Sequence, residues 1–339
     1  MIRLSREHLA IDLGPASTVI CRGDEGVVLD EPTAAAVQTS TGRILHQGVA
    51  VGRLAQALRD RTPSEVSIAY PLANGKVADP VLCQAMLRQF LHKCATRRSF
   101  FGPQVVCTVP SGATMVERAA LVSAVRGAGA ASVGLVLRSV AAAIGGGAPV
   151  LEATAACSCE IGSTQTDIAA TCLGEVVAER RLPIGGVALD QAIVDAVKAL
   201  FNLRIGVKQA ETIRIEYGSA QPQGAEKSFE IHGADGITGA PRTSRITTQQ
   251  LREALESPLT DIASGISELL QSLTPEMAGD LAQQGVLLSG GVALTPGIAD
   301  FLAQELAIPC RVASMPREAA ALGAAIVAID FDRWRGILL

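Results

Sequence analysis

The chain contains 339 residues, of which 48% are hydrophobic and 18% are charged. This composition excludes a disordered protein, and the length predicts about two domains of about 150 residues each. The 29 basic and 33 acidic residues leave a net charge of -4, so nucleic acid is not an expected partner. The sequence contains no stretch of about 18 uninterrupted apolar residues, so no transmembrane helix is predicted. The N-terminus has no secretory-signal pattern, which favours a cytoplasmic protein.

The eight cysteines contain no Cys-x-x-Cys pair, and the four histidines lie far apart. These spacings predict neither a disulfide framework nor a metal cluster. Cys157 and Cys159 alternate as two residues on one face of a strand would. We therefore expect buried free thiols that pack as small hydrophobic side chains.

The first predicted element is a hairpin, with strands at 10–14 and 18–21 around a turn at 15–17. Apolar periodicity and flanking glycine or proline residues then predict a strand and two helices. These elements lie at 104–109, 115–126 and 139–145.

The opening hairpin pattern recurs in the second half of the chain. Asp12 and Gly14 begin the first turn, and Glu160 and Gly162 stand at the same spacing before a second turn. Nearly half of the chain separates the two patterns, which is far longer than a solenoid period. The recurrence therefore predicts two related α/β domains.

The remaining predicted elements complete the second half. Two helices are predicted, at 190–200 and 209–216. The polar stretch 221–245 alternates as strands do and predicts a small inserted subdomain. The segment 247–273 predicts an amphipathic helix interrupted at Pro258, and a strand at 285–289 leads into Gly290.

Three glycine-containing turns after strands predict a nucleotide site. Backbone N–H groups and short hydroxyl side chains in such turns bind phosphate oxygens, and a carboxylate beside each turn can hold Mg²⁺ through water. The third turn, at Ser289, Gly290 and Gly291, lets the backbone approach a sugar or base closely. Each turn alone is a weak signal, but the ordered set indicates a nucleotide clamped between two domains.

Motifs along nearly the whole chain resemble those of the actin, sugar-kinase and heat-shock-chaperone superfamily, and most closely those of the bacterial actins of the MreB/Mbl family. The segments that carry the resemblance are 12–18, 28–33, 70–79, 109–112, 141–145, 183–186, 210–214 and 290–293. The resemblance implies an α/β, actin-like (ribonuclease H-like) duplicated fold, with two domains that each contain a large and a small subdomain around a nucleotide cleft.

The resemblance also implies domain boundaries. Domain I is expected over residues 1–148, with a small subdomain at about 30–72. Domain II is expected over residues 149–339, with a small subdomain at about 180–245 and a C-terminal helix that returns toward domain I.

ATP and Mg²⁺ are the cofactors that the resemblance implies. The carboxylates of Asp12, Glu160 and Asp167 would arrange Mg²⁺ and its waters. Candidate nucleotide contacts lie in the two phosphate turns, one helix and the third glycine turn: Pro15, Ala16, Ser17, Gly162, Ser163, Thr164, Ala210, Glu211, Thr212, Ile213, Arg214, Gly290, Gly291, Val292 and Ala293.

Two departures from the family pattern predict weak or lost hydrolysis. The family's second phosphate loop reads Asp-Ile-Gly-Gly-Gly-Thr-Thr-Asp, whereas residues 160–167 begin with Glu and carry side chains in place of two glycines. Arg138 stands where the family has the Glu that positions the attacking water. Because arginine is only a hydrogen-bond donor and stays protonated, no catalytic residue is assigned.

A basic, aromatic segment predicts contact with a membrane surface. Phe100 and Phe101 follow Arg97 and Arg98, at a position where MreB-like proteins carry an apolar membrane loop. The aromatic rings would enter the bilayer interface while the arginines meet anionic headgroups. The alternative is one Phe beneath the sheet and one half-exposed. For the C-terminal segment around Trp334, docking onto the protein is favoured over a second anchor.

The function that the resemblance implies is a cytoskeletal one. The protein would bind ATP and form filaments on the inner face of the cell membrane, with cell-wall synthesis or shape-complex proteins as partners. Two alternatives stay open: a non-hydrolysing actin-fold scaffold, and a small-molecule kinase of the same superfamily. The kinase would need a carboxylate base that faces a substrate cleft.

Overall fold

The computed structural model of the protein describes residues 7–23, 25–45, 48–58, 65–94 and 102–339. The predicted membrane-contacting segment, with Phe100 and Phe101, lies outside the described residues.

The described chain contains both strands and helices. The strands are β1 (His8–Leu13), β2 (Ser17–Arg22), β3 (Gly26–Pro32), β4 (Ala35–Gln38), β5 (Val66–Ala69), β6 (Leu72–Ala73), β7 (Lys76–Val77), β8 (Gln104–Val109), β9 (Ser132–Leu137), β10 (Ala156–Ile161), β11 (Thr166–Cys172), β12 (Glu175–Leu182), β13 (Leu203–Arg204), β14 (Ser228–Asp235), β15 (Pro241–Thr247), β16 (Val286–Ser289) and β17 (Cys310–Val312). The helices are α1 (Arg53–Leu58), α2 (Pro80–Cys94), α3 (Met115–Gly127), α4 (Arg138–Gly145), α5 (Gly186–Phe201), α6 (Val207–Tyr217), α7 (Thr248–Gln271), α8 (Pro275–Gln284), α9 (Ile298–Leu306) and α10 (Ala319–Ile329).

Two five-stranded sheets repeat one topology. The first has the strand order β3-β2-β1-β8-β9, and the second has the order β12-β11-β10-β16-β17. In each sheet the central strand pairs antiparallel with its hairpin partner and parallel with the strand on its other side. The recurrence seen in the sequence is therefore a repeated sheet, as predicted.

The central strands are apolar because helices cover them. Leu9, Ala10 and Ile11 in β1 are each 0% exposed, and α10 packs on both β1 and β8. A sheet buried on both faces requires continuous apolar runs and not alternation. This explains why aliphatic residues dominate the core of a chain with few aromatics.

Helix α4 lies between the two sheets and contacts β9, β10 and α10. Its contact with α10 is made backbone to backbone, because each helix presents a glycine. A Cβ atom built on Gly323 would lie 1.7 Å from the carbonyl oxygen of Ala141, and one on Gly145 would lie 2.0 Å from that of Ala319. No larger residue fits at either position without separating the helices.

Smaller strand groups surround the two sheets. Strands β4 and β5 form a pair that α1 contacts. Strands β13, β14 and β15 form a three-stranded sheet, in which the β14–β15 hairpin supplies the strands predicted in the polar stretch 221–245.

The predicted interruption at Pro258 is wrong, because α7 runs without a break from Thr248 to Gln271. Proline removes one backbone donor and one helical hydrogen bond. Leu255, Leu259 and Ile262 on either side of it are all buried in the second core. Their apolar burial offsets the loss of one bond.

The cysteines and the C-terminal segment behave as predicted. All eight cysteines are free, six are buried and two are partly buried. Trp334 is 8% exposed and packs into the core of the first sheet, and Leu338 bridges to Val136 in β9. The C-terminal segment is therefore docked on the protein. Within the described part of the chain, no helix is long and apolar enough to cross a membrane.

The glycine contact between α4 and α10 predicts unequal effects of one substitution in two helices. Gly323→Ala should lower the free energy of unfolding by about 3 kcal/mol, because the added methyl group overlaps backbone atoms. Gly279→Ala is the matched control, since a Cβ on this helical glycine meets nothing within 4 Å. It should raise stability by up to about 1 kcal/mol through helix propensity. Equilibrium urea denaturation measures both changes, and equal effects would contradict the backbone contact.

Candidate functional site

Two hairpin turns of matching geometry face a shared cavity. In the first turn the Gly14 N–H donates to the Ser17 carbonyl oxygen at 3.0 Å, and in the second the Gly162 N–H donates to that of Gln165 at 2.9 Å. Both turns line a cavity of about 500 Å³ between the two sheets. The two turns thus place backbone N–H groups that can bind phosphate on opposite sides of one cleft.

The N-terminus of α5 reinforces the second turn. The Val187 N–H donates to the Ser163 carbonyl oxygen at 2.8 Å, and both residues line the cavity. Because the amino end of a helix carries partial positive charge, this end of the cleft favours an anionic group.

Most of the predicted site residues line the cavity. Those that do so are Asp12, Pro15, Ala16, Ser17, Glu160, Gly162, Ser163, Thr164, Glu211, Arg214, Gly290, Gly291 and Val292. The turn at Gly290 needs glycine, because its φ is 87° and a Cβ there would lie 2.3 Å from the Ile161 carbonyl oxygen.

Four predicted nucleotide contacts lie away from the cavity wall. Ala210, Ile213 and Ala293 are buried in the second core. Thr212 is exposed, and its hydroxyl donates to the Lys208 carbonyl oxygen at 3.1 Å. Helical periodicity explains why Ala210 and Ile213 lie away from the cavity. The two positions are three apart on α6 and therefore share one face of the helix.

The cavity wall formed by α5 and α6 contains a buried ion pair that was not predicted. Arg214 Nε donates to Asp190 Oδ1 at 2.6 Å, and both residues line the cavity. Burial raises the pKa of Asp190, and the hydrogen bond from Arg214 opposes that rise. The exposed side chains of Ile215 and Leu294 complete this wall and offer apolar surface to a flat base.

The missed residues had partial signals in the sequence. Asp190 follows the glycine pair at 185–186 that the family resemblance singled out, and Ile215 lies one position beyond the predicted helix segment. Arg317, which also lines the cavity, had no local signal.

The floor of the cleft collects three carboxylates around one arginine. Glu160 and Asp167 are direct cross-strand partners in β10 and β11, and Asp12 comes from β1 of the other sheet. Arg138 Nε donates to Asp12 Oδ1 at 2.9 Å, and its Nη2 donates to the Leu13 carbonyl oxygen at 2.9 Å. Its Nη1 lies 3.8 Å from Asp167 Oδ2. Arg138 therefore joins the two sheets beneath the cavity.

Burial and charge shift the pKa values on this floor. Burial by itself would lower the pKa of Arg138, but the carboxylates of Asp12, Glu160 and Asp167 raise it above its ordinary value. Burial raises the pKa of Glu160 to about 8 despite the opposing effect of Arg138, so its carboxyl is mostly protonated at neutral pH. Its Oε2 atom is buried without a hydrogen-bond partner. A protonated carboxyl can donate to an anionic oxygen in the cleft.

The carboxylates of Asp12 and Asp167 do not fit the Mg²⁺ role that the resemblance implies. Asp12 is occupied by Arg138, and Asp167 accepts from the Ser111 N–H and from Gln165 Nε2, each at 2.9 Å. A metal ion here would lie against a guanidinium of the same sign of charge. Among the residues that the structure describes, no group of three His, Cys, Asp or Glu side chains is placed to hold a metal.

Comparison with known proteins places this geometry in a family. The family model described as MreB/Mbl protein matches residues 6–335. The cell shape-determining protein MreB of Escherichia coli (strain K12) is 37% identical over 317 residues, which cover 93% of this chain and 91% of that protein. The cell shape-determining protein Mbl of Bacillus cereus (strain ATCC 10987 / NRS 248) is 32% identical, with 96% of each chain covered.

Solved structures agree with the sequence relatives. The crystal structure of MreB5 of Spiroplasma citri bound to AMPPNP has a TM-score of 0.89 at 27% identity, and it covers 97% of this chain and 98% of that one. The structure of the same protein bound to ADP has a TM-score of 0.88 and covers 96% of each chain. The predicted actin-like α/β fold is confirmed. With a family match across nearly all of its length, the chain belongs to the MreB/Mbl family.

Proposed function

We propose that this protein binds ATP in the cleft between its two sheets and assembles into cytoskeletal filaments that organise cell shape and cell-wall synthesis. The observation that carries the proposal is the pair of matching hairpin turns that face one cavity of about 500 Å³. Family membership supports the cytoskeletal role, since the relatives are cell shape-determining proteins. A related structure holds AMPPNP.

The cleft suits a nucleoside triphosphate in both charge and shape. The backbone nests and the α5 N-terminus favour the phosphates, and Arg317, which also pairs with Asp30, places a guanidinium at the wall. The apolar edges of Ile215 and Leu294 suit the base. The small-molecule kinase alternative needs a carboxylate base in the cleft, and the bond from Arg138 makes Asp12 unsuited to that role.

Weak or absent hydrolysis belongs to the same proposal. Arg138 is the first residue of α4, where the family resemblance places the Glu that positions water. Its guanidinium donates toward Asp12 and Leu13 and has no acceptor for a proton of water. The protein would then act as a nucleotide-bound scaffold that changes state slowly.

The proposal also includes two domains and attachment of the polymer to a membrane surface. We assign residues 1–148 and 149–339 to the two domains, since each range contains one five-stranded sheet. Actin-like subunits add by a heterologous contact that does not close, which yields an open polymer. Phe100 and Phe101 would hold that polymer on the inner face of the membrane, where shape-complex and cell-wall synthesis proteins are the expected partners.

A carboxylate placed in the second phosphate turn should weaken ATP binding. Ser163→Glu puts a negative charge where phosphate oxygens are expected, and we predict an affinity loss of about tenfold or more, equivalent to about 1.4 kcal/mol. Ser163→Gln has the same size without the charge and should lose much less. Isothermal titration with ATP compares the two variants. Equal ATP affinities of the two variants would show that no phosphate group of ATP binds at this turn.

Phosphate release should be slow even when ATP is bound. Loss of a positioned base lowers turnover by about a hundredfold or more, so the purified protein should release phosphate at least about a hundredfold more slowly than E. coli MreB measured beside it. Saturating ATP and a matched binding titration exclude weak affinity as the cause. Turnover equal to that of E. coli MreB would refute the scaffold interpretation.

Assembly and membrane attachment should be separable by one double variant. Each buried Å² of apolar surface contributes about 25 cal/mol and each basic residue about 1 kcal/mol on anionic lipid, so attachment should depend on many subunits acting together. With ATP, the protein should sediment as polymer and float with anionic vesicles. Phe100→Ser with Phe101→Ser should still sediment but no longer float.

One result would contradict assembly, and another would contradict membrane attachment through Phe100 and Phe101. Monomer alone at high concentration with ATP and lipid would refute assembly. Flotation of the double variant at the level of the unchanged protein would show that these rings pack inside the fold.

A further inference from the structure

The feature that the family pattern does not account for is a nearly buried cation on the floor of the cleft, where Arg138 lines the cavity. The Arg138 side chain is 4% exposed, yet the residue lies at the start of a helix between two sheets. A charge buried this deeply persists only where opposite charges and hydrogen bonds surround it. Its partners are the carboxylates of Asp12 and Asp167 and the carbonyl oxygen of Leu13.

Those partners come from both sheets. Asp12 extends from β1 of the first sheet, and Asp167 extends from β11 of the second. These are two of the three carboxylates to which the family resemblance assigns Mg²⁺. Arg138 meets them through Nε at 2.9 Å and Nη1 at 3.8 Å. The guanidinium thus supplies positive charge at the point where the two halves of the cleft converge.

A second arginine strengthens the charge balance. Arg181, in β12, has its Nε atom 3.6 Å from Asp167 Oδ1. Two cationic groups therefore oppose the carboxylates of Asp12 and Asp167. Without them the floor would repel the phosphates of a nucleotide, and a divalent cation would be needed between the two sets of negative charges.

We infer that the Arg138 guanidinium takes the place of the divalent cation in this cleft, so that the protein binds its nucleotide without a requirement for Mg²⁺. The statement about Arg138 rests on the contacts within the protein, and the statement about the nucleotide rests on the proposed function. Arginine suits both tasks, because its planar fork pairs with carboxylates and phosphates alike.

The first experiment uses the protein without nucleotide and measures its melting temperature with MgCl₂ or with NaCl of equal ionic strength, which matches charge screening. The unchanged protein should show no difference. Arg138→Gln leaves clustered carboxylates without their cation, so it should melt several degrees lower and recover with MgCl₂. Arg214→Gln is the matched control: it frees a single buried carboxylate, Asp190, and should not recover.

Arg138→Lys keeps the positive charge and should have the same melting temperature in MgCl₂ and in NaCl. If Arg138→Gln does not fold in NaCl, its refolding in MgCl₂ becomes the same readout. The inference is overturned if the unchanged protein gains several degrees from MgCl₂, or if Arg138→Gln recovers no more than Arg214→Gln.

The second experiment titrates ATP into the unchanged protein in MgCl₂ and in EDTA. Affinities within about threefold of each other support the inference, and a larger loss in EDTA overturns it. Absence of binding in both buffers would defeat the proposed function instead. The melting comparison would then still decide whether Arg138 replaces the cation.

Discussion

Helix α4 sets the distance between the two sheets, and the cleft depends on that distance. One end of the helix is held by Arg138, which bonds to Asp12 and Leu13. The other end is held by Gly145, which meets the backbone of α10. An ion pair tolerates little change in charge and a backbone contact tolerates little change in size. Because both ends are constrained, the two phosphate turns are held facing each other.

Duplication explains the shared backbone of the two halves, and divergence explains their different chemistry. The turns at Gly14 and Gly162 make the same hydrogen bond. Opposite Asp12 in its hairpin stands Val19, whereas opposite Glu160 stands Asp167. Carboxyl groups are therefore concentrated on the second sheet. A cation from the segment between the sheets is the arrangement that keeps such a cluster stable.

The same arginine links stability with activity. The family pattern has a Glu at the position of Arg138, and that Glu positions the attacking water. This role requires a hydrogen-bond acceptor. Here the position contributes a donor that neutralises carboxylates. In our proposal, exchanging an acceptor for a cation removes a hydrolytic group and adds a structural one at a single site. A filament protein that keeps its nucleotide cleft while losing turnover is the consequence that we favour.

Local pattern determined much of this protein from the sequence by itself. Strands, helices and glycine turns repeat with fixed spacing, so the two hairpins, the third turn at Gly290 and the free cysteines could be predicted. Pro258 was misjudged because a local rule about proline ignores the buried leucines that hold α7 together. Which residues of α6 face the cavity also needed the structure, because a motif of consecutive residues does not state which face of a helix is turned toward the ligand.

The role of Arg138 was decided by tertiary structure alone. The sequence showed that an acid was missing, and it left open what the arginine contacts. Its partner Asp12 is 126 positions away in the chain, and no periodic pattern connects residues at that separation. The contact exists because α4 packs between two sheets whose strands deliver carboxylates to the same point, and only folding brings those groups within bonding distance.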